Sequence, residues 1–426
     1  MSHSPVKRLG MTSAAAVVMG NMIGAGVFTT SGFALADLGD PNIVLVAWVV
    51  GGVLAMFGAL SYGALVRRMP ESGGEYLFLS RAVHPAAGFM AGWVSLLAGF
   101  TAPIAAAALG LQAYVAYSFG VTVRPEWIGT IAILAAGLMH GLRVRDGVLL
   151  QNIAVGLKMI VIGGFLVYGA FALPDLPPAL APVPAFELGA FAVTLVWISF
   201  AYSGWNAAVY IAEEVSDPEK TIQRSLILAT ATVTVVYLGL NAIFVYSAPI
   251  EMLAGRAEIG AVAAEALGGA PLKRAVSAIV VLALFTSISS MIMAGPRVYA
   301  KMADDGLFPA FFKAGAKSPG AAVALQTGLA LVVLWSTGLA QLLGYIGFTL
   351  GLSAAATVGA LLKIRLREGA ERVPIPGFPW VPGIFIASTL LIAGFMAVRE
   401  PMQAGLGLLT ALVGLPLYFF AKRRAA

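Results

Sequence analysis

"GNMIGAGVFTTSG", residues 20–32, is the stretch on which the fold of this chain turns. It lies in an apolar run with no charged residue from Leu9 to Ala36, long enough to cross a bilayer as one helix. Yet it carries glycine at 20, 24, 26 and 32, together with Asn21 and the polar run Thr29-Thr30-Ser31. Each glycine inside a helix costs about 0.5–1 kcal/mol relative to alanine, so their placement needs a reason. One reason is a break, because irregular backbone is tolerated at membrane depth where protein or a water-filled cavity receives its polar groups. The other is close helix packing, which Gly20-x-x-x-Gly24 also fits.

Composition sets the solvent. Of 426 residues, 60% are hydrophobic and 11% are charged, whereas a soluble domain carries about a quarter charged residues. The mean hydropathy is +0.91. The charges fall between long uncharged blocks, so the bilayer is the expected partner of most of the surface. The absence of cysteine from the 426 residues excludes structural disulfides, thiolate metal sites and a disulfide-linked subunit. The net charge of +6 is not gathered in one patch, which argues against nucleic acid as a partner.

Runs of about 20 apolar residues each span a bilayer. They predict an all-α integral membrane protein with twelve transmembrane helices, at about 11–35, 42–66, 84–118, 126–141, 147–173, 188–212, 225–248, 273–301, 319–335, 338–362, 379–397 and 403–421. The overlong stretch 82–123 is read as one tilted helix, and the block between Lys317 and Lys363 is split at Ser336-Thr337-Gly338. With the N-terminus inside, 20 basic residues fall on the cytoplasmic side and 5 outside, leaving Lys158 within a span. That asymmetry is the positive-inside pattern, so both termini are expected in the cytoplasm. The first span lacks a small-residue cleavage pattern, and no cleavable signal peptide is expected.

A second interruption falls in "FAYSGWNAAVYIAEEVSDPEKTIQRSL", residues 200–226, at Ser203-Gly204. Helices one and six occupy corresponding positions if five helices are followed by five inverted ones. Paired interruptions of this kind point to a transporter site built from discontinuous helices in inverted repeats. The expected division is repeat one at about 11–173, repeat two at about 188–362, and two further helices at about 379–421, all in one domain of residues 1–426.

At these residues the chain resembles the amino acid–polyamine–organocation (APC) transporters, most of all the L-type amino acid transporter branch and its bacterial relatives. "GNMIGAGVF" (20–28) is similar to the family's first-helix glycine signature. "PESGGEYLFLSRA" (70–82) resembles the loop before helix three, and 200–226 the sixth-helix signature. "GPRVYAKMADDGLFP" (295–309) resembles the end of helix eight, and "VPIPGFPWVPGIF" (373–385) the start of helix eleven. The resemblance implies a LeuT-like fold, that of the sodium-coupled leucine transporter, with helices one and six broken at mid-membrane. It implies a site in which N–H groups near Ala25 and Gly26 receive a substrate carboxylate, and carbonyls near Ile23, Phe200 and Ser203 receive an ammonium. Trp205 and Asn206 stand where the family has an aromatic and a polar pocket residue. Ser203 departs from the glycine common in the eukaryotic branch, a change that narrows the pocket. Membership would place the chain in a bacterial plasma (inner) membrane.

"QNIAVGLKMIVIGGF" (151–165) sets Lys158 inside helix five. A charge at that depth costs about 2.5–3.5 kcal/mol on insertion scales and is expected to face the bundle interior; the alternative is snorkelling to the interface. By resemblance, Lys158 matches the lysine of sodium-independent members whose ammonium stands in for sodium between helices one and eight, with Ser287 and Ser290 as eighth-helix hydroxyls. Proton symport and obligatory exchange both follow from such a lysine, so protons join the expected partners. None of the twenty carboxylates sits at mid-membrane, which favours small neutral or branched-chain amino acids over the cationic amino acids or polyamines of the alternative reading. Glu213 closes helix six, either as a polar helix end or as a gate residue paired with Arg81 or Arg297.

Other classes fit less well. An intramembrane enzyme needs a nucleophile with its base, or clustered ligands, and His3, His84 and His140 stand far apart. "GNMIGAGVF" lacks the βαβ context of a dinucleotide fingerprint, and a channel wants a continuous polar lining. No cofactor is expected.

Overall fold

The computed structural model describes residues 9–121, 124–141, 147–174, 185–313 and 320–425, with every side chain in them except those of 125, 147–155, 297, 424 and 425. The basic residues Lys7, Arg8, Arg143, Arg145 and Lys317, counted above toward one face, lie outside the described residues. Among those described, the chain is helical throughout, and its only extended pairing is a one-residue parallel bridge between Leu9 and Val215. Eight helices are long and apolar enough to cross a membrane, or nine when the bent pair at the N-terminus counts as one span.

That bent pair is α1 (Met11–Met22) and α2 (Ala25–Leu38), whose axes differ by 41° across Ile23 and Gly24. The turn after α2 uses Gly39 at φ 66°, a left-handed position that suits glycine. Asp40 then caps α3 (Pro41–Arg68) by accepting the Asn42 N–H at 2.6 Å, with Pro41 opening the helix. A short α4 (Gly74–Ala82), unpredicted by the hydropathy runs, precedes α5 (Pro85–Phe119), a continuous helix that loosens into a π segment over Ser95–Thr101. α6 (Pro125–Gly141) and α7 (Gly147–Ala172) complete the first half.

The second half opens with α8 (Leu188–Tyr202), which ends at a turn over 203–206 and continues as a 3-10 segment, Ala207–Glu214. α9 (Pro218–Tyr246) follows, then α10 (Ile259–Asp304). The sequence reading starts this last helix at 273; the structure begins it at 259 and interrupts it at Gly268-Gly269, where Gly269 sits at φ 67° before Pro271. α11 (Gly320–Ser336) and α12 (Leu339–Glu368) part at Thr337-Gly338, as split from sequence. α13 (Trp380–Arg399) and α14 (Pro401–Ala425) close the chain.

The halves interleave. α3 lies along α9, α5 along α10, α6 along α11, and α2 packs against α8. The last contact is set by a glycine: a Cβ on Gly26 would fall 2.3 Å from the Ala201 Cα. Gly26→Ala is therefore expected to lower stability by about 1–3 kcal/mol through overpacking. Gly163, with open space where a Cβ would go, is the control. Thermal unfolding of the detergent-solubilised protein should show a lower midpoint for Gly26→Ala and none for Gly163→Ala.

Candidate functional site at the helix interruptions

The break between α1 and α2 exposes backbone that a continuous helix would pair. Gly24 caps α2 with φ −137° and ψ −149° and, as glycine, brings no side chain to the first N–H groups. Ala25 and Gly26 carry those groups and line the large cavity described below. A helix start of this kind presents N–H donors and a positive dipole end to an anion. On the other side of the break, Lys158 Nζ donates to the Ile23 carbonyl at 2.7 Å. Lys158 is 2% exposed, so its ammonium is committed to the interior and does not snorkel. Ser287, also buried, brings its Oγ to 3.0 Å from where a Gly24 Cβ would stand. Lys158 and Ser287 thus meet adjacent residues of the same break. Ser290 donates to the Thr286 carbonyl at 2.8 Å and lines the cavity.

The second interruption faces the first. α8 ends at Tyr202, Ser203 returns its N–H to the Phe200 carbonyl at 2.9 Å, and Gly204 turns the chain at φ 97°. A Cβ on Gly204 would lie 3.0 Å from the Asn21 carbonyl carbon, so the two breaks touch. The Tyr237 hydroxyl from α9 sits 2.6 Å from the Met22 carbonyl and 2.9 Å from that of Ala201. It therefore bridges the freed carbonyl ends of α1 and α8. Of the three carbonyls expected to hold an ammonium, Ile23 is engaged by Lys158 and Phe200 by Ser203, each keeping a second lone pair. Trp205 turns its ring against Tyr62 at 4.7 Å and Phe385 at 6.4 Å, over the bare backbone of Gly58.

Both breaks line one cavity of about 1330 Å³. It extends past Leu9, Ser13, Glu71, Glu213 and Lys301, the end of the bundle that carries the break-distal ends of α1 and the 3-10 segment. The opposite end is closed. There Phe33 meets Trp197 edge-on at 6.3 Å, and Arg399 at the end of α13 binds both Asp37, at 3.1 Å, and Glu187.

One carboxylate of the cavity wall escaped the sequence reading. Glu75, in a stretch that reads as a solvated loop, is 5% exposed and lines the cavity. Its Oε1 accepts from Asn206 Nδ2 at 2.6 Å and from Tyr62 at 3.0 Å, and its Oε2 from the Tyr210 hydroxyl. The one available signal was the preceding Gly73-Gly74 pair. At the expected gate, Arg81 pairs with Glu71 and not with Glu213, whose N–H is held by Ser72 Oγ at 3.1 Å. Arg297 lies in α10 with its side chain outside those described. Among the described residues no three His, Asp or Glu side chains gather as a metal site would require.

An all-helical, multi-pass chain with its cavity walled by two interrupted helices has the construction of a membrane carrier. The chain belongs to the amino acid permease family, whose profile matches residues 9–413. It is similar to the serine/threonine exchanger SteT of Bacillus subtilis, at 27% identity over 99% of this chain and 98% of that protein. It is likewise 27% identical to the mouse Asc-type amino acid transporter 1, over 97% of this chain and 81% of that one. The human large neutral amino acids transporter small subunit 2 matches at 27%, over 97% and 80%.

The ion-pair trio predicts how the closed end opens. In a Phe33→Cys background, which supplies the chain's sole thiol, Arg399→Gln should speed labelling by an impermeant maleimide. The expected gain is about tenfold, equivalent to about 1.4 kcal/mol taken from the closed state. Equal labelling with and without Arg399 would show that the trio does not hold that end shut.

Proposed function

We propose that this chain is a sodium-independent secondary transporter that exchanges neutral L-amino acids by alternating access. The observation that carries the reading is the chemistry of the two facing breaks. The uncapped N-terminus of α2 offers N–H donors at Ala25 and Gly26, and the broken ends offer carbonyls at Phe200 and Ser203 in the cavity lining and at Ile23, which is buried against Lys158 outside that lining. Helix N-termini suit a carboxylate and unwound carbonyls suit an ammonium, so this backbone fits the two charges common to every amino acid. Glu75 is bound by three protein donors, and the cavity's other carboxylates, Glu71, Glu213 and Glu214, line its open end away from the breaks, which favours neutral side chains. Trp197, Phe200 and Ser290 shape the space for that side chain.

The twelve-span reading adds α6, α7 and α11 to the nine counted by length and composition. The pairing of α2 with α8, α3 with α9, α5 with α10 and α6 with α11 supports two repeats of five. The basic-residue asymmetry makes the open end cytoplasmic, in a bacterial plasma membrane. Lys158 then acts as a fixed cation that ties Ile23 to α7. Glu213 is proposed as a gate residue in the opposite state, where the open end must close. The names of the relatives, an exchanger of serine and threonine among them, support exchange over uniport.

Proteoliposomes loaded with or without internal amino acid provide the test, with labelled alanine, serine and leucine outside. Uptake is expected to require internal substrate and to ignore an imposed proton gradient. Gradient-driven uptake into empty vesicles would make the protein a proton symporter instead. Labelled lysine or arginine exceeding all three neutral substrates would overturn the neutral reading. Lys158→Ala should lower exchange by roughly tenfold or more, as expected when a charge-assisted bond of about 1.5–3 kcal/mol is lost from the break.

A further inference from the structure

The 3-10 segment Ala207–Glu214 raises a mechanical problem. Such helices have poorer hydrogen-bond geometry than α-helices and seldom run beyond three or four residues. This one runs for eight and departs from helical angles at Ile211, with φ −119° and ψ 25°. A segment of that kind does not fix its own shape, so its neighbours must. At its far end Leu9 and Ser72 do so: the Leu9 N–H donates to the Glu214 carbonyl at 2.8 Å, and Ser72 Oγ receives the Glu213 N–H. At the near end, beside the Ser203–Asn206 turn, the anchor is Glu75.

We propose that Glu75 is a positioning residue of the substrate cavity, holding Asn206 and Tyr210 so that the turn at 203–206 keeps its shape. Its two oxygens take the side chains at both ends of the first turn of the segment, residues four apart, and Tyr62 ties the same carboxylate to α3. The local backbone is built for this contact. Gly73 and Gly74 adopt φ 141° and 56°, which side chains rarely permit, and a Cβ on Gly74 would lie 2.3 Å from the Tyr210 ring. Two adjacent glycines therefore let the ring close over α4 and reach the carboxylate.

Acceptor chemistry is required, not merely bulk. All three partners offer an O–H or N–H to Glu75. Glutamine in its place keeps an acceptor oxygen for Asn206 and Tyr62 but presents an N–H₂ to Tyr210, whose hydroxyl must then turn to accept, and all three charge-assisted bonds become neutral ones. The Asn206 amide spends one N–H on Glu75 and keeps its oxygen and its second N–H for the cavity. A direct charge contact with substrate is a poorer reading, since three protein donors already share the carboxylate's charge.

The inference rests on the proposed transport function for its kinetic arm alone. Wild type, Glu75→Gln, Glu75→Asp and Tyr210→Phe would be compared in lipid nanodiscs by hydrogen–deuterium exchange, and in proteoliposomes by amino acid exchange. Glu75→Gln is expected to accelerate deuterium uptake over 203–214 about tenfold while leaving 25–38 unchanged. It should raise KM for alanine, serine and leucine alike by roughly tenfold, with the maximal rate within about threefold. Glu75→Asp should recover most of the KM, and Tyr210→Phe, which removes one of three bonds, should move in the same direction by less. Unchanged deuterium uptake over 203–214 in both Glu75→Gln and Tyr210→Phe would overturn the proposal. So would a Glu75→Gln change confined to lysine and arginine, which would make Glu75 a charge contact. A wild type without exchange activity would contradict the transport reading, while the deuterium measurement would still decide the role of Glu75.

Discussion

Everything near the site follows from one constraint: a backbone carbonyl or N–H released inside a bilayer has no water to bind. The break at Ile23-Gly24 releases several at once, and the chain answers with specific partners. Lys158 takes the Ile23 carbonyl, and Tyr237 takes those of Met22 and Ala201. A lysine buried at a cost of about 2.5–3.5 kcal/mol is thereby given an acceptor at 2.7 Å. On the carbonyl side, Lys158 and the shared Tyr237 hydroxyl hold the freed oxygens in place while leaving each a second lone pair. The donor side, at Ala25 and Gly26, is left facing the cavity.

The same logic shapes the second break and the rest of the bundle. α8 and the 3-10 segment meet at a turn that packs on Asn21, so the two interruptions are in direct contact. Around them a buried polar framework links the elements: Trp48 donates to Ser31, Tyr202 to the Trp48 carbonyl, and Tyr114 to the Phe28 carbonyl. Each bond ties an interrupted helix to a continuous one. Glycines set the closeness of these contacts, as at Gly26 against Ala201 and Gly32 against the Arg256 carbonyl, where a Cβ would stand 1.9 Å away.

Much of this was legible in the sequence. Gly24 marks the first break, Gly26 marks the close approach of α8 that a mid-span glycine also permits, and Lys158 marks their partner because a lone charge in an apolar run must find one. Ser203-Gly204 marks the turn after α8. What stayed hidden depended on long-range approach. Glu75 reads as an ordinary loop carboxylate, and only the folding of α4 onto the cavity wall buries it. Tyr237 and Arg399 are unremarkable within their own helices and matter through residues more than 30 positions away. Local patterns report what a helix does to itself. They carry less about which neighbour completes it.

The account stands on backbone recognising the two charges of an amino acid. Competition binding to the purified protein, with alanine set against alaninamide and against the deaminated acid, tests this most directly. If the N–H groups of α2 hold the carboxylate and the freed carbonyls hold the ammonium, each analogue should bind roughly 10- to 100-fold more weakly, the loss of about 1.5–3 kcal/mol of charge-assisted hydrogen bonding. Equal affinity for alanine and alaninamide would contradict the account, because the uncapped helix start would then have no anion to read.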